Sequence, residues 1–590
     1  MRPIKRIFAL AIAGTLLAAC GHKDKDAPLA FVPADTPYVV ANLKVPDEDT
    51  RKALLAQADV QLPAQLLQLH AAADEMAARD PDTARLLRAF AAELDGKTLE
   101  TFAQNAGLDM KGHSALYGLG LAPVLRFELS DPAAFQAFLG RLETAYGKKL
   151  EVATVGNQSY RRHVSAESGT EVILAVVGKQ AVGAVLPAGV TPSLLRQALG
   201  LDRPQKSLQD DGRLDQLAKS KDYQKWLVGE LDLVRALPLA LSGKDPLFNA
   251  MSKARAEAES ARTGEPVANQ LQIPASCQTD AARIAARVPN LSFGYTRLDA
   301  KHQDVRLDVA LADDIAQAFS GLQVELPGLG ASANAPFDLS LALPVAPLRA
   351  FWSAQADAVA ARPFDCPSLN DLNDAFAKLG PAMQKAGVPP FGDMLGLHIA
   401  LDSFSADAGS ALPTFSGRLV LGTNNPSGLL AMGQMMTPAL AQLKLTADGK
   451  PVALPPNLSG IFGQPVWLAM GEKALALGIG AGQDGKLTEA LKAPVGDAGR
   501  MLRMHLSGDM YLSWVKLMQQ KADSLLAATA ALSKNDEPAG SDASDKAASE
   551  ARTKAQFDAM RAQAERIRAV DAELHVDRHG IVVTSQTELK

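Results

Sequence analysis

The order of elements repeats within this chain, and the repetition limits the fold more than any single motif does. Residues 124 to 199 run VLRFELS, an amphipathic DPAAFQAFLGRLETAYG, a second strand region KLEVATVGNQSYRRH, then TEVILAVVGKQAVGAVLPA and TPSLLRQAL. Residues 417 to 491 give GRLVLG, NPSGLLAMGQMMTPALAQL, KLTADGKPVAL, QPVWLAMGEKALALGIGAG and GKLTEAL in the same order. The clearest register pairs Val172-Ile173-Leu174-Ala175 with Val466-Trp467-Leu468-Ala469 and GKQAVGAV with GEKALALG; further on, Gly229 aligns with Gly508 and Leu233 with Leu512. Each copy then crosses a polar, alanine-rich stretch and ends in alternating strands about a turn, SFGYTRLDAKHQDVRLDVAL (292 to 311) and AELHVDRHGIVVTSQTEL (572 to 589). These patterns predict two homologous halves, 29–315 and 330–590, each α+β, with an antiparallel sheet and helices packed on one face. The first half adds a helical insertion from Glu48 to Asn105, where Leu54, Leu55, Leu62 and Leu66 recur near helical spacing. In the second half, low hydrophobicity over about 534–552 predicts a mobile segment.

The same alignment decides a motif that otherwise points to an enzyme. GIGAGQDGKL, residues 478 to 487, follows an apolar run and precedes a helical pattern, so Gly480, Gly482 and Gly485 imitate a dinucleotide loop. The corresponding stretch of the other copy, GAVLPAGVTPSLL, has Pro187 and Thr191-Pro192 where such a loop needs glycines. No acidic strand end follows at the distance a ribose requires, and Leu487 stands where a phosphate loop needs a hydroxyl for magnesium. The expectation is a glycine-rich turn that takes no cofactor.

Other constellations yield to the same kind of weighing. Ser513-Trp514-Val515-Lys516 matches the S-x-x-K of penicillin-binding enzymes, but Ser368-Leu369-Asn370 precedes it and Arg262-Thr263-Gly264 only approximates the third motif. Ser513 is expected on an amphipathic segment with Trp514 and Leu517 toward a core. His575, Asp577 and His579 would share one face of a continuous strand, yet Asp577-Arg578-His579-Gly580 is good hairpin-turn chemistry, which would separate them. The remaining histidines, among them His70, His113, His163, His398 and His505, lack ligand spacing, and Arg161-Arg162-His163 reads as a solvated strand end. No catalytic, metal-binding or cofactor-binding residue is assigned.

The N-terminus gives an address. Arg2, Lys5 and Arg6 precede an apolar stretch from Ile7 to Ala19 that is too short to span a bilayer, which is the layout of a secretory signal over residues 1–19. Its end, Leu17-Ala18-Ala19-Cys20-Gly21, resembles the lipobox of bacterial lipoproteins. That resemblance implies a diacylglyceryl group on the Cys20 sulfur, palmitate-type chains, and anchoring of the mature chain. At about 0.8 kcal/mol per buried methylene, two or three acyl chains hold a protein on a membrane. Residues 20–28 then form a lipidated tether, and Gly21 in place of aspartate favours the periplasmic face of the outer membrane, with the inner membrane as the alternative. Loss of the leader takes the formal charge from −5 to −8, a poor surface for nucleic acid. Only Cys277 and Cys366 remain, and in an oxidising compartment the expectation is a disulfide between them.

FVPADTPYVVANL (31 to 43) and the later Asp131-Pro132 helix between strands resemble the secreted domain-of-unknown-function family DUF3352. The resemblance covers chiefly the first half and implies no catalytic residue. The functional expectation is a non-enzymatic, lipid-anchored envelope protein presenting a binding or scaffolding surface to another envelope protein or a lipid. The alternative is a periplasmic carrier of a lipid or other hydrophobic ligand, and the third a hydrolase without a recognisable motif.

Overall fold

The computed structural model describes residues 25–264, 273–405, 414–460, 463–533 and 543–590. The signal, Cys20 and most of the tether lie outside the described residues, as does 534–542 of the stretch expected to be mobile; its remainder opens the helix Ala543–Arg566. The chain divides into two compact units, Met1–Val309 with Ser544–Ala559, and Ala310–Ala543 with Met560–Lys590. Both are mixed α+β.

Helix starts follow a local rule visible in the sequence. Asp80, Asp131, Thr191, Asp245 and Asn425 each precede a proline at the first helical turn, and each side-chain oxygen accepts from a backbone N–H of that turn. The proline spends no N–H where none has a partner, and the polar side chain satisfies one that does.

The first unit contains β1 (Tyr38–Ala41), β2 (Ser114–Leu119), β3 (Ala122–Glu128), β4 (Glu151–Val155), β5 (Gln158–Ser165), β6 (Thr170–Val177), β7 (Gln180–Pro187), β8 (Val228–Asp232), β9 (Asn290–Leu298) and β10 (His302–Ala310). They pair antiparallel in the order β4-β5-β6-β7-β3-β2-β1-β8-β9-β10. The second unit contains β11 (Phe337–Ala342), β12 (Met394–Ser405), β13 (Thr414–Thr423), β14 (Val452–Ala453), β15 (Val466–Met470), β16 (Ala474–Ile479), β17 (Arg500–Ser507), β18 (Ile567–Asp577) and β19 (Gly580–Leu589). Their order is β14-β15-β16-β13-β12-β11-β17-β18-β19, also antiparallel throughout. From β5 and β14 onward the two orders correspond strand for strand, crossovers included.

The connections correspond too. Helices Glu48–Ala77, Pro81–Leu94 and Leu99–Asn105 join β1 to β2, and helices Val345–Ala361 and Asn370–Ala386 join β11 to β12. The helical insertion expected only in the first unit therefore has a counterpart in the second. Helix Pro132–Tyr146 follows β3 as Pro426–Met436 follows β13, and Pro192–Leu199 follows β7 as Asp484–Leu491 follows β16.

Helices pack on both faces of the first sheet, not on one. Val182 and Ala184 of β7 join Leu195 and Leu199 in the main core. Ala181, pointing the opposite way on the same strand, joins Phe135, Phe138 and Leu139 of the helix Pro132–Tyr146. A strand buried on both faces must be apolar at successive positions, as QAVGAVLP nearly is.

Candidate functional site

In the second unit the alternation of strand residues sorts two chemistries onto two faces. One face carries cross-strand rows of aliphatic side chains. Val583, Leu574, Leu502, Leu341, Leu397 and Leu421 lie abreast on six neighbouring strands. Ala572, Met504, Leu339, Ile399, Leu419 and Leu477 form the next row. All of these are only half-buried. The interleaved face holds Asp338, Ser340, His398, Arg418 and Arg503, and these are the buried ones.

Among the described residues, the first unit covers the matching face more fully than the second. Helix Pro132–Tyr146 buries Phe135, Phe138, Leu139, Leu142 and Tyr146. Its counterpart Pro426–Met436, sequence PSGLLAMGQMM, buries only Pro426. Met435 and Met436 are each 78% exposed, and helix Val345–Ala361 buries only Ala356. Gly428 and Gly433 supply no side chain to cover the strands, while methionine adapts its shape to an apolar partner. Helix Gly508–Ser533 touches β12, β17 and β18 but leaves Trp514 53% and Met518 49% exposed. Contiguous exposed apolar patches larger than a few hundred Å2 are rare on folded monomers and mark interaction surfaces.

The residues singled out from sequence are placed as follows. Gly480 and Gly482 have φ of +101° and +76°, in the turn between β16 and the helix Asp484–Leu491. A Cβ on Gly480 would stand 2.7 Å from Ser416 Oγ, so the glycine is required by the close approach of β13. Gln483 fastens the turn by donating to Asp402 and Ser416. Ser513 Oγ donates to the Asp509 carbonyl one helical turn back. Trp514, expected to face a core, is exposed; among the described side chains of that helix Met510 and Val515 are buried. His575 lies on β18, while Asp577 Oδ1 accepts from the N–H groups of His579 and Gly580 and closes the two-residue turn to β19. Among the described residues no group of three His, Cys, Asp or Glu side chains converges as a metal site. Arg161 pairs with Glu143 and Arg162 with Glu151, and His163 meets Thr83, so that basic run is internally matched.

Cys277 and Cys366 are both fully buried and disulfide-bonded. No helix among the described residues is long and apolar enough to cross a membrane. Comparison with known proteins finds no matching family, no matching curated protein and no matching solved structure.

The aliphatic rows were present in the sequence as DLSLAL, LGLHIAL, GRLVLG and MLRMHLS, but alternation alone marks two faces without saying which is covered. The helix that would decide it, Pro426–Met436, carries its information in what it lacks.

Proposed function

We propose that this protein is a lipid-anchored, non-enzymatic component of the bacterial envelope, and that it holds a fatty acyl chain on the open aliphatic face of its second unit. The supporting observation is the half-buried aliphatic rows across six strands, flanked at β16 by a helix, Pro426–Met436, that buries only its first residue. Six strands span roughly 24 Å at about 4.8 Å per step, and half of a ~30 Å hydrocarbon core is about 15 Å, so a membrane acyl chain fits along one row. Anchoring through Cys20 at the periplasmic face of the outer membrane would keep such a site beside its source of lipid. The corresponding strand orders support descent of both units from one duplicated ancestor, with the covering helix retained in one copy and thinned in the other.

The experiment is native purification of the full chain followed by organic extraction and mass spectrometry, which separates bound lipid from the covalent anchor. The delipidated protein is then titrated with the apolar dye N-phenyl-1-naphthylamine. Expected are co-purified acyl lipid and a saturable fluorescence rise that Ile399→Asp abolishes. A lipid-free preparation with no dye binding, or equal binding by the variant, overturns the proposal.

A further inference from the structure

We propose that the covered face of the second unit's sheet holds a separate binding site for a small carboxylate, gripped by Arg418 with Lys486 at its mouth. A cavity of about 160 Å3 lies there, walled by Asn334, Asp338, His398, Arg418, Lys486 and Glu489 among others. That volume suits a compound of a few carbons and excludes a lipid.

The floor of the cavity is a buried ion cluster. Asp338 Oδ1 accepts from His398 Nε2 at 3.0 Å and from Arg503 Nη2 at 2.6 Å, and Asp338 Oδ2 accepts from the Asn334 N–H. Burial works against its charge, but the hydrogen bond from His398 and the charges of His398 and Arg503 hold the carboxyl below its ordinary range. Asp402, behind the wall, is likewise occupied by Gln483, Lys486 and Arg418, which outweigh its burial and keep it ionised. Both interior carboxylates are thus supplied with donors.

The donors are less well supplied. Arg418, its side chain 4% exposed, reaches the Asp402 oxygens at 3.3 and 3.4 Å, with its other amino group on the amide oxygen of Asn334. Charge-assisted pairs of this kind settle near 2.7–2.9 Å. Asp402 is taken more closely by Gln483 and Lys486, leaving the guanidinium fork with the weakest share. A ligand carboxylate entering the cavity would take the amino group that Asp402 holds loosely and meet the Lys486 ammonium, which is half exposed at the rim.

The fold itself does not call for this chemistry. On the face covered by the helix after β7, the first unit carries Val39 and Ala41 on β1, Ala115 and Tyr117 on β2, and Val124 on β3, all within its main apolar core. The matching strands and face of the second unit carry Asp338 and Ser340, His398, and Arg418. Buried charge costs several kcal/mol of desolvation per ion unless its partners repay it, so such an exchange calls for a reason beyond packing. The first unit's one central guanidinium, Arg126, is instead closed in by Tyr117, Gln180 and the Ala198 carbonyl and stacks 4.1 Å from the Phe31 ring.

The test is a thermal-shift and calorimetric titration of the full chain with succinate and acetate, against inorganic phosphate and sodium chloride at matched ionic strength. A saturable rise in melting temperature with a carboxylate, at least tenfold weaker binding in Arg418→Lys, and weakened binding in the surface variant Lys486→Gln are expected. Lys486→Gln keeps the test valid should changes at Arg418 prevent folding. No carboxylate response, an equal response to chloride or phosphate, or an unchanged affinity in Lys486→Gln overturns the proposal. Dye binding on the aliphatic face is expected to persist in both variants, so the two sites fail or stand separately.

Discussion

If the aliphatic face of the second unit is open, truncating a side chain there must cost less than the same truncation in the covered core. Leu487 and Ile399 make the comparison, since each loses three carbons on mutation to alanine. Leu487 is 0% exposed and packs with Val420, Ala469, Ala474, Ala476 and Ala490. Four of those neighbours are alanines that cannot swing into a hole, so Leu487→Ala pays both transfer and cavity terms, about 3 to 4 kcal/mol. Ile399 is half-buried on an open face. At about 0.8 kcal/mol per fully buried carbon, with part of the side chain already wet and no sealed cavity left behind, Ile399→Ala should cost about 2 kcal/mol. Urea unfolding followed by tryptophan fluorescence reads the second unit preferentially, because Trp352, Trp467 and Trp514 belong to it and only Trp226 to the first. The midpoint should fall nearly twice as far for Leu487→Ala as for Ile399→Ala at unchanged slope. Equal losses would mean a dry, closed face and would refute the acyl-chain site.

Peptide mapping without reduction should recover Cys277 and Cys366 in one linked species; closing a loop of that length contributes about 4 to 5 kcal/mol in the chain-entropy model, and two separately alkylated peptides would contradict it. Intact mass should begin at Cys20 with added acyl mass, and Cys20→Ala should leave the membrane fraction and retain its leader. The Asp299 carboxyl is held down at about 2: partial burial opposes ionisation, but hydrogen bonds from the Lys301 N–H, His302 and Arg297 outweigh it. Its folded value lies below the unfolded 3.8, so the stabilisation is present above about pH 4 and disappears as pH falls through 2. Asp299→Asn should flatten that part of the stability profile, and an unaltered profile would show that the turn contributes nothing.

Much of the element order could be read from the chain because its signals are local: a capping residue before proline, a polar turn between alternating strands. Register was harder, since it depends on loop length. The ungapped match of GKQAVGAV to GEKALALG sets Val182 against Leu475, yet Val182 pairs with Ala175 just as Ala476 pairs with Ala469. The hairpin after β15 is longer, closing at Met470 and Leu475 where β6 and β7 close at Val177 and Gln180. Matching Gly229 to Gly508 failed for a related reason: Gly229 is inside β8 and Gly508 opens a helix, whose counterpart opens at Leu233. Arg418 passed unnoticed and His398 was set aside as a scattered histidine because their partners, Asp402 and Asp338, are 16 and 60 residues away in sequence.

The usual inference from an alternating strand is that its aliphatic side faces the core. FDLSLA inverts it: Asp338 and Ser340 are buried, while Phe337, Leu339 and Leu341 are half-buried. Hydrophobicity alone would turn the strand over, so other interactions must hold the buried polar side in place. The ion cluster of Asp338, His398 and Arg503 does this, because flipping any one strand would strand a charge without its partner, at a cost greater than a row of half-wet leucines could recover. The two faces are therefore coupled: the polar interior fixes the orientation that leaves the aliphatic rows outward. Replacing Asp338 by asparagine would leave the buried Arg503 with only neutral acceptors, among them the Gly328 carbonyl and the Ser340 hydroxyl, and should disturb dye binding on the opposite face, whereas loss of Lys486 at the rim should not. Unaltered dye binding in a folded Asp338→Asn protein would break that coupling.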